Sequence, residues 1–474
     1  MAYNDFKNAV TYQVASKAID SVIKYINDPD KRQDKLLKLV DLSQKLMGDK
    51  FRKEVFDGAR NLIADDQNKW MVYVNNLINE LDSNVVKMHA LNLGYQSAFY
   101  GYSKTQELAK KYGYKIPWIV LVDPTSACNM HCKGCWAAEY GKSLNLSYEE
   151  LDDIITQGEK LGIYFYMMTG GEPLTRKNDI LKLAKVHNKC AFHLFTNGTL
   201  VDEELCKEMK QLGNISLSVS IEGFEEANDF RRGDGCFNKV CESMKLLKEN
   251  GLLFGTSICY TSKNYKVVTS DEFLDFLIEN GVRYTWYFHY MPVGNDATTE
   301  LLLTPEQREY MYHRVREIRG NTGGKPIYAF DFQNDGEYVG GCIAGGRFYC
   351  HINPNGDVEP CVFIHYSNAN IHDMSLLECL GQPLFREYQK GQPFNDNPLK
   401  PCPMLENPEC LQELVEKTGA KSTDMKSPES PCSLCGKCEP YAKNWAPTAD
   451  RLFTENPPTR KIKKGVSTNL NKTN

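Results

Sequence analysis

The stretch WIVLVDPTSACNMHCKGC, Trp118 to Cys135, decides the fold. Its apolar run Trp118 to Val122 has the length of a strand buried on both faces, and Asp123-Pro124 stops it. Cys128, Cys132 and Cys135 follow at spacing C-x3-C-x2-C. Three thiolates on one loop can hold three irons of a cubane and leave the fourth without a protein ligand. Such an open position suits binding a molecule better than plain electron transfer.

Further apolar runs lie downstream at Ile163 to Met168, Ala191 to Phe195, Ile215 to Ile221, Leu252 to Tyr260 and Tyr284 to Tyr290. Helix-length segments separate them, so they read as parallel β/α units with right-handed crossovers. In one of these segments Ser147 and Glu150 form a capping box, Leu151, Ile154 and Ile155 give an apolar face, and Gly162 ends the helix. Six units cannot close an eight-stranded barrel. The expected fold class is therefore α/β, a partial (β/α)6 barrel over residues 116–330 with its site above the strand C-termini.

Residues 1–115 read as a helical N-terminal domain, from spacings such as Ile19, Val22, Ile23 and Ile26 and the amphipathic segment Trp70 to Leu81, with a turn at Asp28-Pro29-Asp30. Beyond Asp331 the rhythm stops and Gly, Pro, Asn and Cys take over. Residues 331–447 are expected to form a domain stabilised by bound metal clusters, and 448–474 a flexible tail.

The 474 residues are 42% hydrophobic and 25% charged, an ordinary globular composition. A net charge of -5 argues against general nucleic-acid affinity, and the RKIKK run at Arg460 to Lys464 reads as a solvated tail. The first residues lack a basic n-region and apolar h-region, and no stretch reaches the ~18 apolar residues of a membrane span. The expectation is a cytoplasmic protein without a membrane span. In that compartment the seventeen cysteines stay reduced, so the clustered ones point to metal. The dispersed Cys190, Cys206, Cys236, Cys241, Cys259 and Cys379 read as small buried hydrophobes.

The cysteine loop after a first strand resembles that of the radical S-adenosylmethionine (SAM) superfamily, and later strand ends extend the likeness. Gly170-Gly171-Glu172-Pro173 resembles the GGEP segment that receives the SAM amino group. Thr196-Asn197 and Ser220 with Glu222 sit where the family lines the SAM pocket and its ribose. Arg231 and Arg232 match an arginine near the SAM carboxylate, while Ser257 and Pro292-Val293-Gly294 lie toward the adenine. The resemblance implies a [4Fe-4S] cluster on Cys128, Cys132 and Cys135 that binds SAM. It also implies reductive SAM cleavage to a 5′-deoxyadenosyl radical, and a one-electron donor such as flavodoxin or ferredoxin. There is a departure: many members place an aromatic residue before the third cysteine, against the adenine, and here Gly134 stands there. Trp136 either takes over that role or packs under the loop.

Cys342, Gly356 and Cys361 read C-x13-G-x4-C with Cys350 between, which resembles the opening of SPASM and twitch domains that carry auxiliary iron–sulfur clusters. Later Cys402, Cys410, Cys432, Cys435 and Cys438 depart from the SPASM spacing. The expectation is at least one auxiliary iron–sulfur cluster on Cys342, Cys350 and Cys361, completed by one of Cys402, Cys432, Cys435 and Cys438. The remaining cysteines form a second cluster, a structural zinc site or free thiols, and Cys410 is the weakest candidate.

Two substrate classes follow. One is a peptide or protein side chain, as for SPASM relatives. The other is a small molecule or lipid, with Trp70, Tyr95, Phe99 and Tyr100 lining an apolar entry. A non-catalytic iron–sulfur electron carrier and a zinc-binding interaction protein are the remaining readings, and a vacant iron argues against the first of these. Cys259, Tyr260, His289, Tyr290 and His365 are candidate hydrogen donors or bases above the barrel.

Overall fold

The computed structural model describes residues 2–47, 53–294, 297–320 and 324–457. The RKIKK run lies outside them.

Among the described residues, no strand precedes Ile119. Helices Ala2–Ile26, Arg32–Met47, Lys53–Ala64, Lys69–Glu80 and Ser83–His89 lead through a π-helical stretch, Ala90–Gly101, to the helix Tyr102–Tyr112. Gly113 ends that helix at a φ of 75°, a left-handed turn that glycine adopts without steric cost. The barrel strands then come as expected: β1 (Ile119–Val122), β2 (Phe165–Met168), β3 (Ala191–Thr196), β4 (Ile215–Ser220), β5 (Phe254–Tyr260) and β6 (Tyr284–His289). Neighbours pair in parallel, in chain order. In the helix Tyr148–Leu161 the capping box forms reciprocally, with Glu150 N donating to Ser147 Oγ (3.1 Å) and Ser147 N to Glu150 Oε2 (2.6 Å).

The sheet is wider than six strands. β7 (Tyr328–Asp331) extends it beyond β6. At the other edge β8 (Tyr349–Ile352) pairs in parallel with β1, and β9 (Val358–Glu359) returns antiparallel to it. The order is therefore β7-β6-β5-β4-β3-β2-β1-β8-β9. The C-terminal segment thus covers the β1 edge that the barrel alone would leave open.

The N-terminal helices pack under the entry ends of the strands. Asn92 Nδ2 donates to the carbonyls of Asn188 and Cys190 ahead of β3, and Asn84 Nδ2 to those of Lys210 and Gln211 ahead of β4. Asp82 N donates to Gly251 O ahead of β5, and the buried Arg283 pairs with Glu80 ahead of β6. Trp70 lies tilted against Tyr328 at the start of β7, Tyr100 against Tyr164 just ahead of β2, and Tyr95 stacks on Phe99. The sequence reading of these rings, with Tyr100, as an entry to the site is thereby corrected: they lie at the opposite end of the strands from the cysteine loop. No helix among the described residues is long and apolar enough to cross a membrane.

At the C-terminus, helices Pro408–Thr418 and Pro431–Glu455 pack together. The last helix continues past residue 447 to Glu455 with Ala449 and Leu452 fully buried, so residues 448–455 are packed helix and not tail. Arg308, from the helix Pro305–Arg319, joins this region to the barrel through a buried ion pair with Glu406 (2.7 Å) and the face of Trp445 (4.3 Å).

Candidate active site

The cysteine loop is held by the ends of β2 and β3. Gly171 N donates to Thr125 O (2.9 Å) and Glu172 N to Ala127 O (2.8 Å). A Cβ on Gly170 would stand 2.5 Å from Thr125 O, and one on Gly171 2.1 Å from Ala127 O. Both glycines are required by this backbone contact. The Glu172 carboxylate accepts from Thr196 Oγ1 (2.7 Å), Leu174 N (2.9 Å) and Asn197 N (2.7 Å). Asn197 Nδ2 then donates to Asn129 Oδ1 (2.8 Å) inside the loop. Thr196, Asn197 and Glu172 thus clamp the loop from behind, and Glu172 spends most of its acceptor capacity within the protein.

A cavity of about 220 Å³ opens in front of this clamp. It is lined by Cys128, Cys132 and Cys135 together with Gly170, Gly171, Glu172, Thr196, Asn197, Ser220, Arg231 and Arg232. Sequence reasoning therefore assembled one wall of a single site. Glu222 is the exception. It is fully buried and does not line the cavity; Oε1 accepts from Arg231 Nη1 (2.7 Å) and Arg232 Nη2 (2.6 Å), and Oε2 from Cys259 N (2.9 Å). Its expected contact with a ribose is corrected to a role in orienting the two arginines. Burial works against the Arg231 charge, but Cys259, Glu222 and the cluster cysteines outweigh it and hold its pKa above the usual range. Burial, and then Cys132, push the Cys135 thiol up, with Arg231 and Arg232 opposing them.

Gly134 takes a φ of 64°, and a Cβ there would stand 2.7 Å from the ring of Tyr290. The aromatic residue absent before Cys135 thus has its space filled from the end of β6. Trp136 packs edge-on against Tyr140, His351, Phe363 and His365 and also lines the cavity, so both alternatives for it stay open. Of the candidate donors, Tyr260 is committed to Asp331 and His365 to Asp424. His289 bonds Tyr290 O and Tyr441 Oη, and burial lowers its pKa to about 3. Cys259, His289 and Tyr290 line the cavity wall. Three buried polar atoms of the lining have no hydrogen-bond partner among the described residues: Arg231 Nε, Trp286 Nε1 and Tyr290 Oη.

The C-terminal cysteines divide differently from expectation. Cys342, Cys361 and Cys402 gather around Tyr349 and Tyr388, each close enough to raise the pKa of both phenols once burial has done so. Polar partners meet all three sulfurs: Tyr388 Oη and Cys342 Sγ share a hydrogen bond (3.2 Å) in which either can donate, Tyr349 Oη donates to Cys361 (2.7 Å), and the amides of Met404 and Leu405 donate to Cys402 (3.4 Å each). Cys350 is not with them. It lies on β8 opposite Val120, fully buried in the outer core beside Cys379, because alternate residues of a strand face opposite sides. Its assignment as a ligand is corrected. Cys432, Cys435 and Cys438 recur every third residue on the last helix, which puts them on one face. As they stand, no three His, Cys, Asp or Glu side chains among the described residues sit as ligands to one metal ion.

Residues 122–277 match the model of the Radical SAM superfamily, and residues 342–411 that of the SPASM iron–sulfur cluster-binding domain. The chain thus carries a radical SAM domain followed by a SPASM domain. Among curated relatives, the Fe-coproporphyrin III synthase of Methanosarcina barkeri is 27% identical over 231 residues, 47% of this chain and 57% of its own length. The match thus spans little more than half of that relative. Mycofactocin maturase MftC of Mycolicibacterium smegmatis is 25% identical over 56% of this chain and 67% of its own. The solved structure of Streptococcus suis SuiB bound to S-adenosylmethionine shares the fold, at a TM-score of 0.50 and 18% identity over 58% of this chain and 68% of that one.

The radical SAM loop fits a [4Fe-4S] cluster with SAM. Its three thiols line one cavity, and the unpaired Arg231 Nε is a donor beside them, as an anionic group on the ligand requires. The SPASM region fits an auxiliary cluster equally well. A neutral thiol has little use for a hydrogen-bond donor aimed at its sulfur, whereas a thiolate holding iron does.

Proposed function

We propose that this radical SAM enzyme takes hydrogen from an apolar, uncharged group of its substrate, held in the barrel lumen between the cysteine loop and the SPASM domain. One observation carries the reading. Among the described residues, the charged side chains lining the cavity are Glu172, Arg231 and Arg232, all at the loop end, and Ile119, Leu121, Met167, Phe195, Trp286, Phe288 and Phe332 make much of the remaining wall apolar. A carboxylate or ammonium placed among these residues would be desolvated without a partner.

When bound, the cluster and SAM supply reductive cleavage to a 5′-deoxyadenosyl radical. The protein's own groups orient and exclude. Arg231, fixed by Glu222, presents Nε to the ligand, and Ser220 and Ser257 edge the same end. The indole of Trp286 stacks with Phe330 (4.2 Å) and Phe288 (5.9 Å), and its Nε1, like Tyr290 Oη, is an unpaired donor of the lining among the described residues. A substrate group with a single neutral acceptor satisfies it. Such walls keep water from a reactive intermediate.

An aliphatic or aromatic side chain of a peptide or protein meets these requirements, and the relative named as a maturase supports that class. A second reading, an apolar small molecule or lipid, is favoured by the N-terminal region, whose described residues form helices and offer no strand edge for a peptide. Electrons are assigned to a flavodoxin or ferredoxin. Host peptides that differ at one position test the reading, in an anaerobic assay of 5′-deoxyadenosine run beside free apolar compounds. Leu, Phe or Tyr hosts, or the free compounds, are expected to raise nucleoside formation and Glu or Lys hosts to leave it at the basal rate. Stimulation by the charged hosts alone would overturn it.

A further inference from the structure

Tyr349 touches both halves of the molecule. It stands on β8, which pairs with β1, and its register partner Ile119 lines the same cavity as the SAM loop. Its own ring lines that cavity too, near Phe332 (6.3 Å) and with Phe363 and Val362 beside it. At its far end the phenol donates a 2.7 Å hydrogen bond to Cys361 Sγ, and the residue is only 5% exposed. One side chain thus has its face on the reaction chamber and its proton on a cysteine of the auxiliary group.

Other sulfurs of that group are met differently. Tyr388 reaches Cys342 at 3.2 Å, but it is fully buried beneath Gly345 and Phe394 and does not line the cavity. Cys402 is met by backbone amides alone. Among the described residues, Tyr349 is therefore the one phenol that both meets an auxiliary sulfur and walls the chamber. A hydrogen bond to a cluster sulfur withdraws charge from it and favours the reduced, more negative state, and burial strengthens the effect.

We propose that Tyr349 is a positioning residue that sets the reduction potential of the auxiliary centre and forms the partition between that centre and the reaction chamber. The inference rests on the assignment of Cys342, Cys361 and Cys402 to an auxiliary cluster, but not on any SAM chemistry. Deleting the hydroxyl should make the centre harder to reduce while leaving the SAM loop's cluster unchanged, because no hydrogen bond joins Tyr349 to Cys128, Cys132 or Cys135.

The test uses the full chain with Cys128, Cys132 and Cys135 all replaced by Ala, so that only auxiliary iron is seen and failure of SAM cleavage cannot mask the result. Redox titration followed by electron paramagnetic resonance is compared with and without Tyr349→Phe. The expected shift is to lower potential, by about tenfold in the oxidised-to-reduced ratio at fixed solution potential, or about 59 mV for one electron. An unchanged potential at unchanged iron content would overturn the proposal. A second measurement does not depend on the variant's folding. After exchange into D2O, the reduced centre bearing Tyr349 should show a deuteron coupling from the O–H···S bond. Its absence would equally count against the assignment.

Discussion

At Gly134 the backbone has a φ of 64° and the Tyr290 ring leaves no room for a Cβ. Replacing it by Ala adds left-handed strain and a clash, together costing about 1–3 kcal/mol. Chemical denaturation should register that loss, and first-cluster iron should fall with it. Adding Tyr290→Ala should return the steric part, because the two substitutions meet at one contact. Cys350 gives the opposite kind of test. Cys350→Ala should leave auxiliary iron unchanged, with a core cost of about 1 kcal/mol for the lost buried sulfur, whereas Cys361→Ala or Cys402→Ala should lower auxiliary iron in metal analysis. Loss of iron on replacing Cys350 would return it to the ligand set.

Among elements, the decisive pairing is β8 with β1. It carries His351 under the cysteine loop, between Asp123 (3.1 Å) at the end of β1 and Glu359 (2.6 Å) on β9, all fully buried. Burial opposes the imidazolium, but Asp123 and Glu359 outweigh it and raise its pKa to about 10. An unfolded histidine titrates near ~6.5. A raised folded value means that its stabilisation is fully present below about pH 6.5 and is lost as the pH climbs through about 10. Comparing unfolding of the protein with that of His351→Gln across this window should show the difference between them shrinking toward alkaline pH. A constant difference would mean that His351 is neutral throughout. This pairing was not legible in the sequence. Tyr349 to Ile352 is four residues long with a histidine inside, and its apolar neighbours belong to β1, more than two hundred residues earlier. The β/α units were legible because each carries its own period, caps and turns, as Ser147, Glu150 and Gly162 do. The cysteine loop was legible for the same reason: its chemistry lies within eight residues. Glu222 was misread because its partners Arg231 and Arg232 cross from the next helix, and Tyr349 was missed because nothing in its spacing marks a residue that meets a sulfur twelve positions on.

Over the whole molecule, three layers follow one another: helices beneath the strand entries, the sheet, and the SPASM region, whose β8 extends the sheet beside β1 and whose His351, Phe363 and His365 pack against Trp136. Arg308 ties the upper layer together, bonding Asn334, Tyr441 and the carbonyl of Leu399 as well as Glu406. Arg308→Ala leaves the Glu406 carboxylate buried and unpaired, a loss of about 3–5 kcal/mol. Because Glu406 also accepts from Cys402 N (2.7 Å), auxiliary iron should become labile to chelators in the same variant.

The account as a whole depends on the loop of Cys128, Cys132 and Cys135 cleaving SAM. Anaerobic reconstitution with iron and sulfide, followed by dithionite and SAM, measures it directly. The protein should release 5′-deoxyadenosine and methionine. The chain with those three cysteines replaced by Ala should lack about 4 irons, keep its auxiliary iron and release neither product. Absence of the nucleoside from a wild-type protein that shows its full cluster signal would contradict the account.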